Sequence, residues 1–412
     1  MKVTYPPDVE SFREEVRAWL REHLPPGWFD DGFQLDAESR RQFLDGWNRA
    51  MYEDGWICAQ WPREYGGRGL SALESVVLAE EFARADAPMR VSSLGEILVG
   101  PTLLSWGTEE QKQEFLPCIL RGEIVWCQGF SEPESGSDLA SLTTTATLVG
   151  DEFVVDGEKI WTSEAEAADY MILLARTDPD ARRHAAISFL LLPMRQPGVE
   201  VIPIAQPDGT AGFNRVVLQG ARCPAVNLLG GAGNGWKVAM TTLGFERGTS
   251  TITGYHRFCR DLDEIIATAR SRGVADDPVV RQRIAAAWIA VEILGISGHR
   301  TLAGIERGHT DRGLAALEAV NKLYWTEHDK RAMNLAIDLL GPDGMLLLGT
   351  PDDERRASVG LGHRAVVHPY PASPMQIGFL FSRSGTIFGG TSEIQRNVIA
   401  ERTLGLPREP SP

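Results

Sequence analysis

The chain has 412 residues, 43% hydrophobic and 24% charged, close to the globular average and far from disordered, collagen-like or coiled-coil compositions. Asp and Glu outnumber Lys and Arg by 56 to 41, a net charge of −15, so the overall field repels nucleic acid and anionic lipid, and no nucleic-acid or membrane partner is expected. Cys58, Cys118, Cys127, Cys223 and Cys259 are scattered, with no CxxC pair, which argues against a zinc site and for a reducing, cytoplasmic setting.

Residues 1–20 alternate charged and apolar side chains at helical spacing and read as a first structural helix, not a signal peptide. The longest apolar runs, such as 187–194 (ISFLLLPM), fall far short of the roughly 20 residues that span a bilayer. Helical patterns follow at 38–56, 72–85 and 108–122, separated by Pro and Gly clusters. Thr108 ahead of Glu109, Glu110 and Gln111 is a capping signal, and the link 61–67 (WPREYGG) is irregular.

From 123 to 234 the texture turns to short β-rich runs broken by turns. Gly150-Asp151 and Asp156-Gly157 are hairpin signals on either side of a strand at 152–155. Beyond Gly235 long amphipathic helices return. The predicted fold class is α+β: an N-terminal helical bundle (1–122), a central antiparallel β-barrel or sandwich (123–234) and a C-terminal four-helix bundle (235–412). The polar stretch 350–376 carries four prolines and reads as a long loop, its His363 and His368 as solvated side chains.

Three segments carry chemistry. The first, 129–138 (GFSEPESGSD), packs two glycines, three hydroxyls and a capping Asp; it reads either as a plain connector or as a turn offering N–H groups and hydroxyls to a polar ring or phosphate. The second, 157–163 (GEKIWTS), is a strand ending in an aromatic and two hydroxyls; the third, 387–397 (IFGGTSEIQRN), opens a helix with small residues and a hydroxyl, an arrangement that suits an anion. Taken singly, Trp161 reads as core and Thr391 as an N-cap.

In this order and within an α, β, α frame, the three segments resemble the acyl-CoA dehydrogenase family of flavoproteins. The resemblance spans nearly the whole chain, from Gly55-Trp56 and 61–70 (WPREYGGRGL) through 107–112 (GTEEQK) to 405–407 (GLP). It implies FAD as cofactor. The turn from Gln128 through Phe130, Ser131 and Gly136 to Ser137 would line the isoalloxazine, with Ser137 also touching the CoA substrate. Trp161 would stack on the flavin, followed by Thr162 and by Ser163 near N5, and Thr391 and Glu393 would contact the diphosphate and adenosine side across a subunit boundary.

The implied reaction removes the α-proton of an acyl-CoA thioester while the β-hydride passes to flavin N5. Many family members place the base directly before Gly-Thr, where this chain has Gly389. A second family arrangement puts a Glu on the helix after the β-domain, matching 244–247 (GFER) here. Glu246 is then the candidate base and Arg247 a CoA-side or structural contact; a surface Glu-Arg pair is the alternative. Phe245 and Trp236 are expected to desolvate Glu246 and raise its pKa, and the Gly389 and Gly390 backbone to hold the thioester oxygen.

Two family patterns are altered. Arg-x-x-Phe-Gly has become 270–278 (RSRGVADDP), leaving Arg270 or Arg272 to reach the diphosphate, and Gln-x-x-Gly-Gly-x-Gly has become 338–344 (DLLGPDG). The resemblance also implies a dimer of dimers, homomeric or of two unlike chains that share flavin sites, and an electron-transfer flavoprotein as acceptor. A flavin oxidase or monooxygenase on a non-CoA substrate, and a subunit that completes a partner's site, are the competing readings.

Overall fold

The computed structural model describes residues 5–30, 33, 35–88, 94–208, 210–248, 250–307, 312–346 and 373–408; at 37, 246–248, 250–253, 306 and 312–316 it describes only the backbone. The contacts divide the chain into two compact units, one formed by 1–50, 70–89 and 247–412, the other by 51–69 and 90–246.

The first unit is helical. It contains α1 (Pro7–His23), α3 (Ala72–Arg84), α7 (Ser250–Ser271), α8 (Pro278–Glu306), α9 (Arg312–Leu340), α10 (Pro374–Gly385) and α11 (Ser392–Val398), with most of α2 (Ala37–Glu53). The N-terminal helices join the C-terminal ones, since α3 packs on α1, α7 and α8. Two apolar clusters hold α7, α8 and α9 together, one around Phe258, Leu294 and Trp325, the other around Ile265, Leu335 and Ala336. A buried ion network ties α1 to α3, with Arg13 on Glu80 at 3.0 Å and on Glu81 at 2.5 Å.

Among the described residues the second unit contains α4 (Gly100–Trp106), α5 (Glu109–Arg121), eight strands and α6 (Gly235–Gly248) up to its residue 246. Thr108 and Gln111 form the capping box that opens α5. The strands are β1 (Trp126–Gly129), β2 (Thr145–Val149), β3 (Glu152–Ser163), β4 (Tyr170–Arg176), β5 (Ile187–Pro193), β6 (Val199–Ile204), β7 (Phe213–Pro224) and β8 (Leu228–Leu229). They form one sheet in the order β6-β7-β3-β2-β4-β5-β8, with β1 added beside β4. Its pairs are mostly antiparallel; β1 with β4 and β2 with β4 are parallel.

Gly150, at φ 68°, turns β2 into β3 as the Gly-Asp signal predicts. Asp156-Gly157 does not turn the chain. β3 runs straight through it, with a register shift at Val155/Asp156, because an antiparallel partner is waiting in β7 on the far side. Glycine is needed there for another reason: at φ 153° it crosses Thr144 so closely that an added Cβ would sit 2.7 Å from Thr144 Cα. The expected loop at 350–376 also ends earlier than predicted, since Ser373 and Gln376 form a capping box with Pro374 in the first turn of α10. That Ser-Pro-x-Gln signal was present in the sequence. The rest of that stretch, His363 and His368 included, lies outside the described residues, as does Gly308-His309.

Candidate active site

In the second unit the structure brings the first two motifs together. β1 delivers the chain through Gln128 to a turn at 130–137, closed by reciprocal bonds between the Glu132 and Ser135 backbones at 3.1 and 3.0 Å. The Ile160 N–H of β3 donates to the Ser131 carbonyl at 3.0 Å. Phe130 points inward, 5% exposed, with its ring edge-on to Phe189, so only its backbone faces the turn. Ser131 is half-buried, while Gly136 and Ser137 are exposed, and nothing lies within 4 Å of where a Gly136 Cβ would be.

Trp161 is held in a conformation that few non-glycine residues adopt, φ 60°, and stays 58% exposed. The cause is a bulge: between Lys159 and Thr162 the β3–β7 register shifts, turning the indole out of the sheet. The edge of Phe213 lies beside it at a ring distance of 6.3 Å. Thr162, next in the strand, is fully buried, and its hydroxyl has no hydrogen-bond partner among the described residues. Ser163 ends the strand half-buried. An exposed indole on a strand, next to a turn carrying the Ser131 and Ser137 hydroxyls, fits a flat, polar ring system such as a flavin.

Two residues that the motif reading passed over hold this arrangement. Glu132 and Lys159 are 4% and 0% exposed, with Nζ 2.8 Å from Oε1. Burial works to raise the Glu132 carboxyl, but the Lys159 charge and hydrogen bonds from Lys159, Thr144 and Thr143 hold it at about 2. Burial pushes Lys159 down to about 8 against the pull of Glu132. The available signal was a charged residue at an inward position of a strand that otherwise alternates Phe153, Val155 and Thr162 inward.

Helix α6 carries Glu246, whose side chain, like that of Arg247, lies outside the described residues. Its earlier turns are anchored to α4: the Thr102 and Thr242 hydroxyls lie 3.0 Å apart in the core, and Trp106 Nε1 donates to Thr241 Oγ1 at 3.1 Å. Trp236 stacks on His184 at 4.2 Å, ten residues and about 15 Å of helix rise before position 246.

In the first unit, Gly389 and Gly390 adopt φ 62° and 95°. The buried Lys322 of α9 donates to the carbonyls of Gly385 at 3.1 Å and Gly390 at 2.6 Å, and Gln395 Nε2 donates to the Gly389 carbonyl at 2.9 Å. Thr391 caps α11 through the Ile394 N–H at 3.2 Å, and the exposed Glu393 pairs with Arg396 at 3.5 Å. Arg272 is engaged by Asp343 at 2.5 Å, and Arg283 by Asp338 at 2.7 Å. The acidic replacement Asp338 in the altered 338–344 pattern and the nearby Asp343 therefore each have an arginine on them. Among the described residues no group of three or more His, Cys, Asp or Glu could hold a metal, and no helix is long and apolar enough to cross a membrane.

Comparison with known proteins bears on this arrangement. Residues 6–123, 127–221 and 233–404 match the N-terminal, middle and C-terminal domains of acyl-CoA dehydrogenase. The chain is 42% identical over 410 residues to the acyl-CoA dehydrogenase IpdE1 of Mycobacterium tuberculosis, covering 98% of this chain and 99% of that one. It is 32% identical to FadE26 of the same organism, covering 99% of each. Among solved structures, a steroid acyl-CoA dehydrogenase named Tcur3481-Tcur3483 superposes with a TM-score of 0.79 at 32% identity, covering 99% of this chain and 100% of that one. The ChsE4-ChsE5 complex from Mycobacterium tuberculosis gives 0.76 at 29% identity, covering 99% and 100%. By fold, by the full set of domains and by identity along its whole length, this chain belongs to the acyl-CoA dehydrogenase family.

Proposed function

We propose that this enzyme catalyses FAD-dependent α,β-dehydrogenation of a polycyclic acyl-CoA thioester, with Glu246 as the base. The observation that carries the cofactor reading is Trp161, an indole left 58% exposed on a strand that pins its backbone at φ 60°. Bound FAD supplies the hydride acceptor. Trp161 offers it a stacking face, Ser131 and the Ser137 hydroxyl offer polar contacts, and Thr391 and Glu393 serve the diphosphate and adenosine side.

The α-proton of a thioester is weakly acidic, so a carboxylate must take it while hydrogen bonds hold the thioester oxygen. Glu246 sits one helical turn beyond Thr242, on a segment fastened to α4 by the Thr102–Thr242 contact. Such anchoring is what a base needs to keep its geometry. Position 389 holds glycine in the left-handed region and leaves the base role to residue 246; the Gly389 and Gly390 backbone serves the thioester oxygen, and Arg247 the CoA. Arg272 is occupied by Asp343 and is left out of this site.

The polycyclic acyl group is inferred from the steroid acyl-CoA dehydrogenase at 32% identity. The paired names of Tcur3481-Tcur3483 and of the ChsE4-ChsE5 complex support assembly with an unlike chain. The apolar stripe Ile289, Ile293 and Ile296 of α8, 52%, 40% and 47% exposed, suits such a partner. An electron-transfer flavoprotein completes the cycle as acceptor.

The test is anaerobic titration of the FAD-loaded protein with straight-chain, branched and steroid-derived acyl-CoAs, following the flavin absorbance. Bleaching by the steroid-derived class alone, slowed at least about a hundredfold in Glu246→Gln, is the expected result. A Glu246→Gln variant that bleaches at the wild-type rate rules out this base. Flavin retention only after a partner chain is added favours the heteromeric form.

A further inference from the structure

The turn at 130–135 has no ladder of its own, so what fixes it comes from individual contacts. The Glu132 carboxylate sits at their centre. Oε2 accepts from the Thr143 N–H at 2.6 Å and its hydroxyl at 2.7 Å; Oε1 accepts from the Thr144 N–H at 2.9 Å and from Lys159 Nζ at 2.8 Å. Lys159 Nζ also donates to the Phe130 carbonyl at 3.2 Å. The next residue, Ile160, binds the Ser131 carbonyl, and the one after it is Trp161.

We propose that the Glu132–Lys159 pair is a positioning device that holds the 130–135 turn in register with Trp161, so that stacking face and polar turn meet the flavin as one surface. The inference rests on the FAD reading above. The bulge explains why such a device is needed. Between Lys159 and Thr162 the β3–β7 register slips, so the ladder cannot fix the indole where it leaves the sheet. The pair clamps the last residue before that slip to the turn. A buried ion pair is a poor source of net stability compared with apolar side chains of similar volume; an ammonium that reaches both a carboxylate and a main-chain carbonyl instead specifies geometry.

The experiment compares wild-type protein, the charge-neutral double variant Glu132→Gln/Lys159→Met, and Thr143→Val, which removes one hydroxyl from the carboxylate. Each apoprotein is titrated with FAD, following quenching of tryptophan fluorescence and the shape of the visible flavin band, with thermal unfolding measured in parallel. The expected result is a double variant that unfolds cooperatively yet binds FAD at least about tenfold more weakly, with a band like that of free FAD. Thr143→Val should weaken binding about threefold. A folded double variant, or Thr143→Val, with the wild-type affinity and band overturns the proposal. If the double variant does not fold, Thr143→Val decides alone. Wild-type apoprotein that binds no FAD, alone or with a partner chain, sinks the cofactor reading itself, and the proposal with it.

Discussion

Lys322 of α9 reaches out of the helical core to the carbonyl of Gly390, 2.6 Å away, and to that of Gly385 at 3.1 Å. One buried ammonium thus ties down both ends of the glycine-bearing loop at 385–390. Lys322→Met leaves two carbonyls without that donor. It should destabilise the helical unit by about 2–4 kcal/mol in denaturant titrations, and FAD affinity should fall with it. Unchanged affinity would show that the loop holds its shape without the lysine.

Trp161 presents the opposite balance. Because the indole is 58% exposed, Trp161→Ala should change apoprotein stability by less than about 1 kcal/mol. FAD affinity should drop about tenfold, since stacking on an aromatic face is what the residue offers. Equal losses in both measurements would mark the side chain as structural.

Gly157 is a packing constraint. An added Cβ would meet Thr144 at 2.7 Å from its Cα, with the backbone at φ 153°. Gly157→Ala should cost about 2–4 kcal/mol by combining overpacking with backbone strain. Chemical denaturation would read it, and a Thr144→Gly background should recover part of the loss. No recovery would locate the cost in the backbone alone.

His328 is 3% exposed and edge-on to Phe258 at 5.4 Å. Burial, helped by the charges of Arg331 and Arg257, pushes its pKa from 6.5 to about 4. The folded protein therefore holds this proton less readily than the unfolded chain. Its contribution is intact above pH 6.5 and is lost as the pH falls from there toward 4, by about 3 kcal/mol at most. His328→Phe should flatten that part of the stability profile; an unchanged slope would show that other groups set it.

Arg272 and Asp343 form an exposed pair at 2.5 Å, with side chains 36% and 44% accessible. Exposed pairs contribute little, so Asp343→Asn should shift stability by less than about 1 kcal/mol, and Arg272→Ala should leave FAD affinity within about twofold of wild type. A larger loss of affinity would return Arg272 to the cofactor site.

Local chemistry made much of this readable in advance. Thr108 and Gln111 announce the start of α5 because a capping box needs only residues three apart. Gly150-Asp151 announces the β2–β3 turn because a left-handed backbone favours glycine. The 129–138 and 157–163 motifs pointed to one place and meet there through the Ile160–Ser131 bond. Asp156-Gly157 misled because a turn signal and a close-crossing glycine look alike until the β7 partner is known.

What the sequence determined by itself was the family and the order of helical and β-rich segments, both of which rest on short-range patterns. Tertiary structure decided the rest. Lys159 is an ordinary charged residue until the sheet buries it against Glu132, 27 positions away, and Arg272 is a free cation until α9 ends in a turn that brings it Asp343, 71 positions away. The reason is physical: a charge acquires its role from the dielectric and the partner around it, and both are supplied by chain segments far apart in sequence.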